Sequence, residues 1–235
     1  MAVIEDILKV QGCINIFGYG SLIWNPDVDY DCSYLGYISG YERRFWQGST
    51  YHRGTLEQPG RVLTMTKVNE GRCWGRVFVI KGADKVRKAL DSLQTREQQL
   101  GHYDIRIVPV HILETNDILY SVVYYATPEN PLFLGESSLD EIAENIVQSC
   151  GVFGHNIEYL FRLTDFMREN LPEEKDEHLY ALDKLVRSKI GLLAKNVLPW
   201  HKLLENDSFR KHIYDIKETN YNEEVSLKTI IVQAS

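Results

Sequence analysis

The chain has 235 residues, with 26 Lys and Arg against 33 Asp and Glu, for a formal charge of −7 at pH 7. An apolar fraction of 44% with 25% charged residues belongs to a folded globular chain, not a disordered one. Net acidity without a Lys/Arg block argues against a nucleic-acid binder, and the long uncharged run Val10–Pro26 holds too many polar residues and glycines to span a membrane.

The opening Met1-Ala-Val-Ile-Glu-Asp6 is acidic where a secretory signal is basic, so a cytoplasmic protein is expected. Ile14–Phe17 is a short apolar strand, and Phe17-Gly-Tyr-Gly-Ser-Leu22 follows as a glycine-bearing turn. Arg43–Thr50, His52–Gly54 and Pro59–Arg61 read as a loop region in which arginines alternate with aromatics. Two strands are expected at Arg61–Val68 and Trp74–Ile80. Val86, Ala89, Leu90 and Leu93 then recur at helical spacing. Gln94–Glu97 and Leu100–Asp104 form the connection to strands Ile105–Leu113 and Ile118–Ala126, joined by a hairpin turn at Thr115–Asp117. Pro109 marks an edge or a bulge in the first of that pair.

Beyond residue 136 the period changes to helical. Ser138-Leu-Asp-Glu141 has the form of a capping box, a second helix runs from about Asn156 to Asn170, and a third is expected to start after Pro172 with a stripe of Leu179, Leu182, Leu185 and Val186. From Gly191 the periodicity fades, and apolar islands such as Leu198–Trp200 suggest a tail packed on the core. Strands first and helices after make an α+β protein with a largely antiparallel, closed sheet.

Three segments can carry chemistry. The Gly18–Leu22 turn is neither a dinucleotide fingerprint nor a Walker loop, but its backbone N–H groups can face an anion or a carbonyl oxygen. It can equally be a simple strand-to-turn corner. Glu97 stands in a connection where a rigid scaffold can hold a general base, and no second carboxylate at glycosidase spacing accompanies it. Residues 37–80 hold seven basic and three acidic residues, against 12 and 18 over residues 136–235. Such arginines can bind a small anionic ligand or pair with the acidic helices, and charge alone does not choose between the two. Cys13, Cys32, Cys73 and Cys150 have no C-x-x-C spacing and the seven histidines no H-E-x-x-H, so thiols are expected and no metal.

Tyr19-Gly-Ser-Leu-Ile-Trp24, Arg43–Thr50, His52-Arg-Gly54, Pro59-Gly-Arg-Val62, Cys73-Trp-Gly75, Arg96-Glu97, Ala126–Pro131, Asn156, Glu158-Tyr-Leu160 and Pro172–Leu179 occur in this order. Together they resemble the ChaC family of glutathione-specific γ-glutamylcyclotransferases. The resemblance implies a γ-glutamylcyclotransferase fold, a small β-barrel with flanking helices, over residues 14–190, leaving 191–235 as a C-terminal extension. It also implies cofactor-free cleavage of glutathione to 5-oxo-L-proline and L-cysteinylglycine. By the same resemblance Glu97 is the catalytic acid/base, and Ile16, Phe17, Gly18, Tyr19, Gly20, Ser21 and Leu22 hold the γ-glutamyl group. Arg53 and Arg61 are candidate contacts for substrate carboxylates, with pairing to Glu57 or the acidic helices as the alternative. His102 stands where the family commonly has glycine. Two other functions stay open at this point: turnover of other γ-glutamyl peptides or amines, and a γ-glutamyl-binding sensor without turnover.

Overall fold

The computed structural model describes residues 13–191, together with Lys202 and Glu205, so the expected packing of the C-terminal extension lies outside the described residues. Five strands close into a barrel: β1 (Cys13–Gly18), β2 (Cys32–Ser49), β3 (Gly60–Lys81), β4 (Asp104–Ile112) and β5 (Ile118–Tyr125), in the order β1-β3-β2-β4-β5. β1 runs antiparallel to β3, from Cys13 opposite Lys81 to Gly18 opposite Arg76, and closes the barrel by a short parallel pairing with β5 at Ile16–Val122 and Phe17–Val123. The hairpin β4–β5 pairs Asp104 with Tyr125 through to His111 with Ile118. Pro109 lies outside the β2–β4 pairing, which matches Gly36 and Tyr37 with Ile112 and His111, so its missing N–H costs no bond on that side.

The helices are α1 (Ala83–Leu93), α2 (Leu139–Gln148), α3 (Asn156–Asn170) and α4 (Glu177–Lys189). A short hairpin, β6 (Cys150–Gly151) and β7 (Gly154–His155), separates α2 from α3. The fold is therefore α+β, with a mostly antiparallel closed sheet.

Three expectations are corrected. Arg43–Ser49 is not a loop but the last third of the 18-residue β2. Arg43, Phe45 and Gln47 are buried while Arg44 and Trp46 are half-buried, which is strand periodicity in which an arginine and an aromatic share each face. The expected strands 61–68 and 74–80 are parts of the continuous β3, which passes through a left-handed Glu70 (φ 61°) instead of stopping at Asn69-Glu-Gly71. The last helix also begins later than expected: Asp176, not a residue near Pro172, caps it by accepting the Leu179 N–H at 3.0 Å.

The chain divides into two compact units. The first ends at Arg44 and resumes over Leu63–Phe133; the second takes Phe45–Val62 and begins again at Leu134. In the first, the inward residues Ile14, Ile16, Ile80, Val122 and Tyr124 form one core with Val86, Ala89 and Leu93 of α1. Gly75 faces β1 so closely that a Cβ would collide with the Gly18 carbonyl oxygen and the Phe17 ring, which is why that strand position carries no side chain.

In the second unit, α2, α3 and α4 pack on one another. Ser138 and Glu141 form the expected capping box at the head of α2. Asp183 of α4 is buried and accepts from Arg187 at 2.9 Å, from Arg168 of α3 at 2.5 Å and from Thr164 of α3 at 3.3 Å. A buried carboxylate with three donors orients one helix on the other, because leaving it unpaired would cost several kcal/mol, about 3–5.

Candidate active site

β1 ends at Gly18, and the chain turns back on itself at once. A Cβ on Gly18 would collide with the Leu22 Cβ, so glycine is what permits the turn. Ser21–Ile23 then forms one tight turn of helix, with Ile23 N–H donating to the Gly20 carbonyl at 3.0 Å and Asn25 N–H to the Ser21 carbonyl at 2.9 Å. The turn is held from behind by Arg43 of β2. That side chain is 1% exposed and donates to the Tyr19 carbonyl at 3.0 Å and the Trp74 carbonyl at 2.5 Å.

The carboxylate comes from another part of the same unit. After α1 the chain does not enter a loop, as the sequence suggested; Gln94–Gln99 widens into a π-helical turn, with Leu100 N–H bonded to the Thr95 carbonyl five residues back. Such turns insert one residue into a helix and re-aim the side chains around it. The segment is closed by Tyr103 N–H donating to the Glu97 carbonyl at 3.0 Å and by the Tyr103 hydroxyl donating to the Leu63 carbonyl at 2.8 Å. His102 sits at φ 54°, a region glycine enters without strain, and Asn130 Nδ2 donates to its carbonyl at 2.8 Å and to that of Gly101 at 3.2 Å.

Glu97 is nearly enclosed, with 13% of its side chain exposed. Burial pushes its carboxyl above the ordinary glutamate value, and the Arg96 cation opposes this without cancelling it. Arg96 bridges the two segments. Its Nε lies 3.1 Å from Glu97 Oε1, Nη2 donates to Ser21 Oγ at 2.8 Å, and Nη1 to the Asn25 carbonyl at 2.7 Å. The buried Tyr124 of β5 is within electrostatic reach: burial first, and the Glu97 charge second, raise the pKa of its hydroxyl. The result is a base of raised pKa beside a turn whose backbone is fixed on two sides. This arrangement can take a proton from a bound cation and return it.

Of the residues singled out from sequence, Ser21 and Glu97 are joined through Arg96. Tyr19, Gly20 and Leu22 lie in the same turn, while the Ile16 and Phe17 side chains are buried in the barrel wall. Arg53 and Arg61 belong to the second unit. Arg53 Nη1 donates to Glu158 at 2.8 Å and to the His155 carbonyl at 3.0 Å, so it pairs with an acidic helix, one of the two partners its charge allowed. Arg61 is buried. Its Nη1 donates to the Phe45 and Gly135 carbonyls at 3.0 and 3.1 Å, and Asn156 bonds both its N–H and its carbonyl.

Arg43, Arg96, Tyr103, Tyr124 and Asn130 acquire their places only in the structure. Arg43, Arg96 and Asn130 stand in segments that carry the family resemblance, but a motif does not say where a guanidinium or an amide points. Among the described residues there is no cluster of three or more His, Cys, Asp or Glu able to hold a metal ion, and no helix is long and apolar enough to cross a membrane.

The family model of ChaC-like proteins matches residues 14–189. Glutathione-specific γ-glutamylcyclotransferase 1 of Danio rerio is 42% identical over 187 residues, 79% of this chain and 95% of the relative. The glutathione-specific γ-glutamylcyclotransferase of Schizosaccharomyces pombe is 37% identical over 202 residues, covering 78% of this chain and 97% of the relative. The crystal structure of a γ-glutamyl cyclotransferase specific to glutathione from yeast superimposes with a TM-score of 0.69 at 28% identity, over 76% of this chain and 97% of that one.

Proposed function

The chain belongs to the ChaC-like family, and from that premise we propose that it is a glutathione-specific γ-glutamylcyclotransferase that releases 5-oxo-L-proline and L-cysteinylglycine. The observation that carries the reading is the enclosed Glu97 carboxylate tied by one guanidinium to the Tyr19–Leu22 turn.

The chemistry follows from that pair. The α-amino group of the γ-glutamyl moiety is an ammonium at neutral pH and has no lone pair for attack. Glu97 takes one proton from it. The freed amine attacks the γ-carbonyl of the same residue, forming the C–N bond of a five-membered ring. The tetrahedral oxyanion faces the backbone N–H groups of the 19–22 turn, which Arg43 keeps in place from behind. Glu97 returns that proton to the cysteinyl nitrogen as the original amide C–N bond breaks, and the ring nitrogen sheds its second proton to the departing amine, so the products are a lactam N–H and a cysteinyl ammonium. No water enters the balance. Ring closure is intramolecular, so the remaining task is to fold the substrate into reach.

The raised pKa of Glu97 fits this role, since a carboxylate of ordinary basicity accepts a proton from an ammonium less readily.

The test is 5-oxoproline release from glutathione, γ-glutamylcysteine and γ-glutamylalanine, each incubated separately. Release from glutathione alone is expected. Comparable release from all three would replace the reading by a broad γ-glutamyl cyclotransferase, and release from none would leave a binding protein. The pH profile has an expected sign as well. Glu97 must be ionised to act as base, so kcat/KM for glutathione falls as pH drops through its raised pKa. The acid limb therefore stands above the ordinary glutamate value of 4.5; a profile flat down to pH 4.5 would remove Glu97 from the role.

A further inference from the structure

Arg96 has more to do than neutralise its neighbour. Adjacent residues on a helix do not face each other, so a contact between Arg96 and Glu97 needs the guanidinium to be drawn across the turn. Ser21 Oγ and the Asn25 carbonyl draw it: Nη1 and Nη2 donate to the segment that follows β1, and Nε is left 3.1 Å from the carboxylate as an ion pair. The side chain is 16% exposed, with the bond to Ser21 the more sheltered of the two and the bond to Asn25 open to solvent. The two segments it joins lie 75 residues apart in the chain, one after β1 and the other after α1.

We infer that Arg96 is a positioning residue that sets the distance and angle between the substrate-holding turn and the Glu97 carboxylate. The inference rests on the function proposed above. A guanidinium is a rigid planar fork whose nitrogens point in fixed directions, so one side chain anchored on two acceptors holds its Nε edge, and the ion pair there, in a set direction. A lysine ammonium supplies the same charge at one point and no such frame. The geometry matters because ring closure needs amine, carbonyl carbon and base aligned together, and a misplacement of about 1 Å can cost about 10²-fold in rate.

The groups that bear on Glu97 electrostatically are Arg96 on its own turn and Tyr124 from β5, which stays neutral because its pKa is raised. Tyr103 also packs beside the turn, with its hydroxyl committed to the Leu63 carbonyl. Removal of Arg96 therefore removes the cation that opposes the effect of burial on Glu97.

Arg96→Lys and Arg96→Ala separate frame from charge. For each, kcat and KM for glutathione and the pH profile of kcat/KM are measured beside wild type and Glu97→Gln. Arg96→Lys is expected to keep the acid limb close to the wild-type position and lose kcat by about 10- to 10²-fold, KM changing less. Arg96→Ala is expected to lose at least as much kcat and to shift the acid limb to higher pH. Arg96→Lys within threefold of wild type in kcat would overturn the inference, as would an unshifted limb in Arg96→Ala. If Arg96→Ala does not fold, Arg96→Lys alone decides by its kcat. Wild type without 5-oxoproline release would instead overturn the proposed function, an outcome distinct from either.

Discussion

Glu97→Gln abolishes most turnover of glutathione to 5-oxoproline, by about 10²- to 10⁴-fold in kcat, while the protein folds as before. The amide has the shape of the carboxylate, and its oxygen can keep the place of Glu97 Oε1, 3.1 Å from Arg96 Nε. What it cannot do is take a proton from an ammonium. Stability should not suffer, and linkage gives the sign. The pKa of Glu97 is raised on folding, so the native state binds its proton more readily than the unfolded chain does. Ionised Glu97 therefore weakens the fold above its folded pKa, and that cost disappears as pH falls below the unfolded value. Glutamine never carries the charge, so the Tm of the variant at pH 7 is expected to equal or exceed that of wild type. Loss of the Arg96 ion pair, partly open to solvent, offsets some of this gain. The measurement is a rate with a melt beside it. Turnover within a few-fold of wild type, from a variant that melts normally, would transfer the base to another residue.

Arg43→Met is the substitution expected to damage the fold most among those around the turn. Methionine fills much of the same volume but donates nothing, and the Tyr19 and Trp74 carbonyls lose their buried donor. A buried carbonyl that loses a donor costs up to about 1–3 kcal/mol. Relief from holding a guanidinium at 1% exposure returns part of that. The net loss should be about 2–4 kcal/mol, a large fraction of the roughly 5–15 kcal/mol of a typical domain. Denaturant unfolding reads it directly. A loss below about 1 kcal/mol would mean that water or a rearranged side chain satisfies both carbonyls. Activity should fall further than stability requires, because the Tyr19 carbonyl anchors the turn that faces the substrate.

Legibility from the sequence differs from element to element. β1, α2 and α3 were readable because their signals are local: a short apolar run, a Ser138–Glu141 capping box, and a 15-residue stretch with apolar residues at helical spacing. β2 was not, since Arg43, Arg44 and Gln47 interrupt the apolar alternation, and only the packed barrel gives Arg43 a reason to be inside. The break within β3 failed for a similar reason. Asn69-Glu-Gly71 has turn composition, yet the neighbouring strands hold the chain in the sheet through a left-handed Glu70.

The same division runs through the site. Glycines at 18 and 20, Ser21 and the Arg96-Glu97 pair are residue types whose order in the chain was enough to point to a family and to one carboxylate. Sequence order also determined the class of fold, since strand-like and helical periods occupy successive stretches. Only the tertiary structure decided that Glu97 rides on a widened helical turn, that burial outweighs its adjacent cation, and that Arg96 reaches across 75 residues to Ser21. It also decided that Arg53 is bonded to Glu158. The physical reason is one of range. Periodicity, capping and turn chemistry act over a few residues and can be read from the chain, whereas desolvation and the direction of a guanidinium depend on segments that meet only after folding.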